Sequence, residues 1–280
     1  FARTRPLPTY LIALAVGPYD VVDFGMIPPN SVRDHGVPLR GIVASGHGSE
    51  MKYALKNTTG LLTALETYFG TPYPYEKLDL IAVPETFGGA MENAAAITYD
   101  EDLMLMDENS PLDQRRDYAS THAHEMSHMW FGDLVTPVWW NDIWLNESFA
   151  SWMQNKAAQA YWPEGQFDRE TLKSALGAMI NDSLASARQI REPIDDNDEI
   201  NSAFDDLTYQ KGGGVLAMLA HYVGEESFQA GVRLHLKLHA DGTATAEDFI
   251  ASVAKASDRP EVEAAFRTFI EQPGVPLVSA

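Results

Sequence analysis

His124-Glu125-Met126-Ser127-His128 is the segment of this sequence whose residue types and spacing point most directly to chemistry. Two histidines at i and i+4 lie on one face of a helix, one turn apart. That spacing lets both imidazoles reach a single Zn²⁺ at about 2.0–2.1 Å. Glu125 is next to the first of them, turned round the helix, where it can hold a water on the open zinc position. Catalytic zinc takes three protein ligands and keeps one position open. Glu147 lies nineteen positions beyond His128, near the start of the next helix. A helix-turn-helix of that length can fold its carboxylate back against the histidines, which would give one zinc per chain. The plainer alternative is a satisfied histidine pair on a buried helix face, and it weakens once this carboxylate is counted.

The elements that would carry these groups follow from apolar patterning and breakers. Residues 9–16 are apolar and β-compatible and stop at Gly17-Pro18, and residues 37–45 are a second strand candidate. Residues 49–69 read as a helix with Ser49 as cap and Gly70 as stop. A short strand at 77–83 and an extended neighbour at 97–106 come next. From Pro111 onward the pattern is helical, over 113–131 (closed by Gly132), 145–161, 167–180, 211–223, 227–239, 246–256 and 262–270. An acidic loop fills 192–206. Strands first and helices second imply an α+β domain with two lobes. Trp130, Phe131, Trp139, Trp140 and Trp144 lie between the histidines and Glu147 and read as core packing beneath the site.

Composition narrows the function class. The 280 residues contain no cysteine, so neither a disulfide framework nor a thiolate ligand is available. Forty Asp and Glu against twenty Lys and Arg give a formal net charge of -20. Polyanions are repelled by such a surface, so nucleic acid is not expected as a partner, whereas substrates bearing a free amine are attracted. Solubility is the plainer reading of the same charge. No run approaches the roughly 20 apolar residues of a membrane helix. There is no signal-peptide pattern, and the opening on Phe1 rather than methionine suggests that upstream sequence has been lost.

The spacing of His124, Glu125, His128 and Glu147, the last within Trp144-Leu145-Asn146-Glu147, resembles the gluzincin aminopeptidases of the aminopeptidase N type, a family that includes leukotriene hydrolase. Gly89-Ala90-Met91-Glu92-Asn93 matches that family's exopeptidase signature, and Tyr209-Gln210-Lys211-Gly212 the segment with its catalytic tyrosine. Tyr68-Phe69-Gly70, Pro72-Tyr73-Pro74, Lys77-Leu78-Asp79 and Gln272-Pro273-Gly274 agree in order, so the resemblance covers essentially the whole chain. It implies a thermolysin-like, two-lobed catalytic domain over 24–271. Residues 1–23 would be a stub of a preceding β domain, and 272–280 a linker to an absent C-terminal region. It further implies peptide substrates with a free N-terminus, Glu125 as general base and Tyr209 as donor to the oxyanion. Gly89 to Asn93 would bind substrate, and Glu92 would meet the terminal ammonium. A turn built by Gly88 and Gly89 would let a peptide backbone approach closely and pair with the adjacent strand. Without the zinc motif, Glu92 would read as a solvated loop carboxylate. Three departures from the family pattern bear on substrate preference: Ser148 where glycine is common, Ala94 where tryptophan is, and Met129 where glutamine is. A thermolysin-type endopeptidase, which has no need of Glu92, and a catalytically idle binding domain are the competing readings.

Overall fold

The computed structural model describes residues 3–84 and 89–275. The fold is α+β. The chain divides into two compact units, one of residues 1–134 and 156–166, the other of 135–155 and 167–280.

The first unit holds a five-stranded sheet. Its strands are β1 (Tyr19–Ile27), β2 (Val37–Ala44), β3 (Leu78–Val83), β4 (Ala90–Met91) and β5 (Ala96–Asp100), ordered β1-β2-β3-β5-β4. β1 and β4 pair antiparallel with their neighbours, while β2, β3 and β5 run parallel. β3 is the central strand and nearly every residue of it is buried, as parallel strands covered on both faces require. Helix α1 (Lys52–Phe69) provides the β2–β3 crossover and ends at Gly70, whose φ of 61° suits only a left-handed cap. A four-residue helix, α2 (Glu101–Met104), leads to α3 (Leu112–His128).

Two sequence expectations are corrected here. Residues 9–16 are not a strand: only a 3₁₀ turn forms at Thr9–Leu11. Ile12, Leu14 and Val16 are 72%, 89% and 82% exposed, so the apolar run has no sheet face to bury against. The strand lies just beyond it, in β1, where Asp20, Asp23 and Gly25 break the alternation and a bulge shifts the register between Asp23 and Gly25. Residues 97–106 are extended only as far as Asp100, where α2 takes over.

The second unit is mainly helical. Its elements are β6 (Val135–Pro137), α4 (Ile143–Tyr161), α5 (Glu170–Asp182), α6 (Gly212–Val223), α7 (Glu225–His239), β7 (Gly242–Ala244), α8 (Ala246–Ser257) and α9 (Glu261–Ile270). The last turns of α4 belong to the first unit. β6 and β7 form a parallel pair. Thr245 caps α8 reciprocally with Asp248, each side chain accepting from the other's backbone N–H. Phe149, Trp152, Phe228 and Phe249 meet edge to face, with ring centroids 5.2–6.2 Å apart, and form this unit's aromatic core. The acidic segment 192–206 contains 3₁₀ structure over Asn197–Ala203. Trp130, Phe131 and Trp144 are core residues, whereas Trp139 is 43% exposed and spends its indole N–H on the Ile194 carbonyl at 2.7 Å.

Candidate active site

The C-terminal half of α3 is polar yet wholly buried from His122 to His128. Its rotation is set by His122, whose Nε2 donates to Thr58 Oγ1 on α1 at 2.9 Å; that hydroxyl is a free acceptor because it donates its own proton to Ala54 O. His122 Nδ1 accepts from the Tyr99 hydroxyl on β5 at 2.7 Å. Burial pushes the His122 pKa down to about 3, so the ring is a neutral strut. With α3 fixed on both sides, His124 and His128 lie along one face and meet edge to face, ring centroids 4.8 Å apart.

His128 Nδ1 lies 2.9 Å from the Phe131 carbonyl. A carbonyl can only accept, so Nδ1 carries the proton and Nε2 is the ring nitrogen that bears the lone pair. This is the second-sphere arrangement typical of a metal-bound histidine. The turn that brings Phe131 back is closed by Gly132 at φ 127°.

Glu92 comes to the site from the sheet. β4 pairs Ala90 with Tyr99 and Met91 with Thr98, and Gly89, at φ 114°, exchanges contacts with Asp100. Its N–H donates to Asp100 Oδ2 at 2.7 Å and its carbonyl accepts from Asp100 N at 2.8 Å. Asn93 is held by Thr98 Oγ1, which donates to its Oδ1 at 2.9 Å. Gly88, the other glycine of the expected turn, lies outside the described residues. The outcome is a buried Glu92 rather than a solvated loop carboxylate. Carboxylate oxygens of Glu92 and Glu125 and a ring nitrogen of His128 lie within 4.8 Å of one another.

Asp133 was not singled out by sequence reasoning. It is buried, and burial first, then the charge of Glu92, hold its carboxyl well above the usual carboxylate range. Its backbone N–H donates to His128 O at 3.0 Å. The signal that could have found it is a lone acid inside the apolar stretch Trp130-Phe131-Gly132-Asp133-Leu134-Val135. Asp133 thus lies close to the carboxylates of Glu92 and Glu125, and burial favours its neutral form.

In the second unit Glu147 is buried in the second turn of α4. Asp142, just ahead of that helix, is gripped by Arg191 at 2.7 and 3.1 Å. Ser148 Oγ donates to Thr208 O at 2.5 Å. Tyr209 is half-buried on a single π-helical turn, Leu207–Lys211. Of the residues expected to bind metal, His124 and His128 are buried in the first unit and Glu147 is buried in the second. Two imidazoles and a carboxylate, one imidazole with its proton already committed to a carbonyl, are donors that fit a divalent transition metal.

Residues 53–269 match the Peptidase family M1 domain. Over 281 aligned residues, covering 99% of this chain, the sequence is 37% identical to the probable aminopeptidase 2 of Sulfurisphaera tokodaii and spans 35% of that protein. It is 36% identical to aminopeptidase M1-D of Oryza sativa subsp. japonica, covering 99% of this chain and 31% of the relative. It is also 36% identical to the tricorn protease-interacting factor F2 of Thermoplasma acidophilum, covering 100% of this chain and 34% of the relative. The chain belongs to peptidase family M1. It spans about a third of the length of these curated relatives.

Proposed function

We propose that this chain is the catalytic domain of a zinc aminopeptidase that removes the first residue from peptides with a free N-terminus. His124, His128 and Glu147 would hold one zinc ion, and when bound it would supply Lewis-acid chemistry to the scissile carbonyl and acidify a water. Glu125 accepts that water's proton on a carboxylate oxygen as the new C–O bond forms, and returns it to the amine nitrogen as the C–N bond breaks. Tyr209 donates its hydroxyl hydrogen to the carbonyl oxygen as negative charge grows there. Glu92 accepts from the substrate's α-ammonium, while the backbone of Gly89 to Asn93 lies along the peptide, extending the β4 edge of the sheet.

The observation that carries this reading over an endopeptidase is the buried Glu92 beside Glu125 and His128. An endopeptidase has no use for a buried acid there, whereas a terminal ammonium needs one. Carboxylates as close as this disfavour one another's ionisation, and a cationic substrate group relieves that repulsion.

Metal analysis with paired variants tests the metal and base assignments. The purified protein should contain one zinc per chain and lose turnover to a chelator. Glu147→Ala should lose metal and activity together. Glu125→Gln should keep the metal and lose about 10²–10⁴-fold in kcat. Full zinc in an active Glu147→Ala protein would reject the ligand set.

A further inference from the structure

Tyr209 does not sit on a regular helix. The π-helical turn Leu207–Lys211 precedes α6 directly. Single π-turns are uncommon and need outside support, and side chains brace this one from several directions. Asp205 Oδ1 accepts from the backbone N–H groups of Leu207 and Thr208, at 2.8 and 3.2 Å. Arg188 grips Asp205 at 2.7 and 3.1 Å and donates to Thr208 Oγ1 at 2.8 Å. Ser148 holds Thr208 O, as described above. These contacts fix the start of the turn.

Its far end is fixed differently. Lys211 Nζ donates to Asp182 Oδ1, at the end of α5, at 2.8 Å, and to the Gly274 carbonyl at 3.3 Å. The Gly274 N–H donates to the same Asp182 oxygen at 3.1 Å. The two charged side chains are only 11% and 1% exposed. One residue of the tail therefore offers its N–H to the acid and its carbonyl to the base of a buried ion pair. Because a single carboxylate oxygen serves both Lys211 and Gly274, neither can move without changing the other's bond. Gly274 has φ 93°, a conformation that a residue with a Cβ adopts only under strain. A pair that merely tied α5 to α6 would have no need of the tail's peptide group.

Building on the role of Tyr209 given above, we propose that Asp182 and Lys211 are positioning residues that couple the seating of the tail around Gly274 to the placement of the Tyr209 hydroxyl. Lys211 closes the turn that holds Tyr209, two positions away. When the tail is unseated, the buried ammonium loses an acceptor and the buried carboxylate a donor. The ion pair then relaxes, and the end of the π-turn relaxes with it. Tyr209 acts on charge that develops during the reaction, so loose placement lowers kcat and leaves ground-state binding largely intact.

The test uses the intact protein with Asp182→Asn, Lys211→Gln and Gly274→Ala, the last lying in the tail rather than in the turn. With an alanyl reporter, each should lower kcat about 10–100-fold with KM nearly unchanged, as misplacement of a catalytic group does. In a Tyr209→Phe background the same changes should alter kcat by less than about twofold, since residues that act through one another are not additive. Hydrogen exchange at the amides of 207–211 should speed up at least about tenfold in Gly274→Ala, with metal content unchanged. Equal losses of kcat in both backgrounds, or unchanged exchange at 207–211 in Gly274→Ala, would overturn the coupling. Exchange is measured without turnover, so failure of the aminopeptidase reading, seen as an inactive parent protein, is distinguishable from failure of the coupling.

Discussion

Gly212→Ala should destabilise the helical unit far more than a glycine-to-alanine change in a helix normally does. A Cβ built on Gly212 would lie 1.8 Å from Ser148 Oγ and 2.9 Å from Ser148 Cβ. Ser148 is fully buried and its hydroxyl donates to Thr208 O at 2.5 Å, so rotating it away leaves a buried carbonyl short of a donor. Overpacking of this kind costs about 1–3 kcal/mol, and the lost hydrogen bond adds roughly 1 kcal/mol. The helix propensity of alanine gives back at most about 1 kcal/mol, and less at the first residue of α6. A net loss of about 2–3 kcal/mol is expected, read as a lower urea midpoint at constant slope. Ser148→Gly removes both clashing atoms. On its own it should cost about 1–2 kcal/mol, through the lost hydrogen bond and a glycine inside α4. Combined with Gly212→Ala it should recover more than half of that variant's loss. A Gly212→Ala protein within about 0.5 kcal/mol of the parent, or strictly additive behaviour in the double variant, would refute the close-approach argument.

Two further outcomes concern buried charge. Glu66 and Arg33 form a fully buried pair at 2.8 Å, with Asn30 and the Tyr73 N–H also on the carboxylate; Glu66→Leu should cost about 3–5 kcal/mol in chemical unfolding by stranding the guanidinium, and Glu66→Leu with Arg33→Met should cost much less. Burial, aided by the neighbouring His239 and opposed by Asp248, pushes the His235 pKa down to about 4. The unfolded chain therefore binds more protons than the folded one between about pH 4 and 6.5, so the stabilisation is complete above 6.5 and is lost as pH falls towards 4. Up to about 3 kcal/mol should disappear across that window, and a pH series of urea unfolding on His235→Gln should show a flatter dependence.

The helices that carry His124, Glu125, His128 and Glu147 were legible because helical periodicity is local. The segment from Leu145 to Tyr161 needed only its apolar face and Pro163 to be recognised as a helix, and α4 starts two residues earlier. Residues 9–16 misled because an apolar run records hydrophobicity and not whether a partner sheet exists. β1 escaped because its exposed edge position removes the alternation that betrays a half-buried strand. The burial of Asp133, the approach of Gly212 to Ser148 and the sharing of Asp182 by Lys211 and Gly274 join residues tens of positions apart. No window of sequence carries those contacts. The π-turn at Tyr209 is likewise set by braces from Asp205, Arg188 and Ser148, not by the propensities of Leu207 to Lys211.

In the aminopeptidase reading proposed above, buried Glu92 binds a peptide's free amine, and one comparison of substrates decides whether it does. A peptide α-amine has a pKa of about 7.7–8.0 and is mostly charged at neutral pH. A charge-assisted hydrogen bond to it is worth roughly 1.5–3 kcal/mol, or about 10–150-fold in kcat/KM. The measurement is kcat/KM for an alanyl reporter and its N-acetyl counterpart, in the parent protein and in Glu92→Gln. The expected result is a loss of about 10–150-fold for the free amine alone, with zinc content and the slow cleavage of the blocked substrate nearly unchanged. If both substrates fall by the same factor, Glu92 is structural and the aminopeptidase reading loses the observation that carries it.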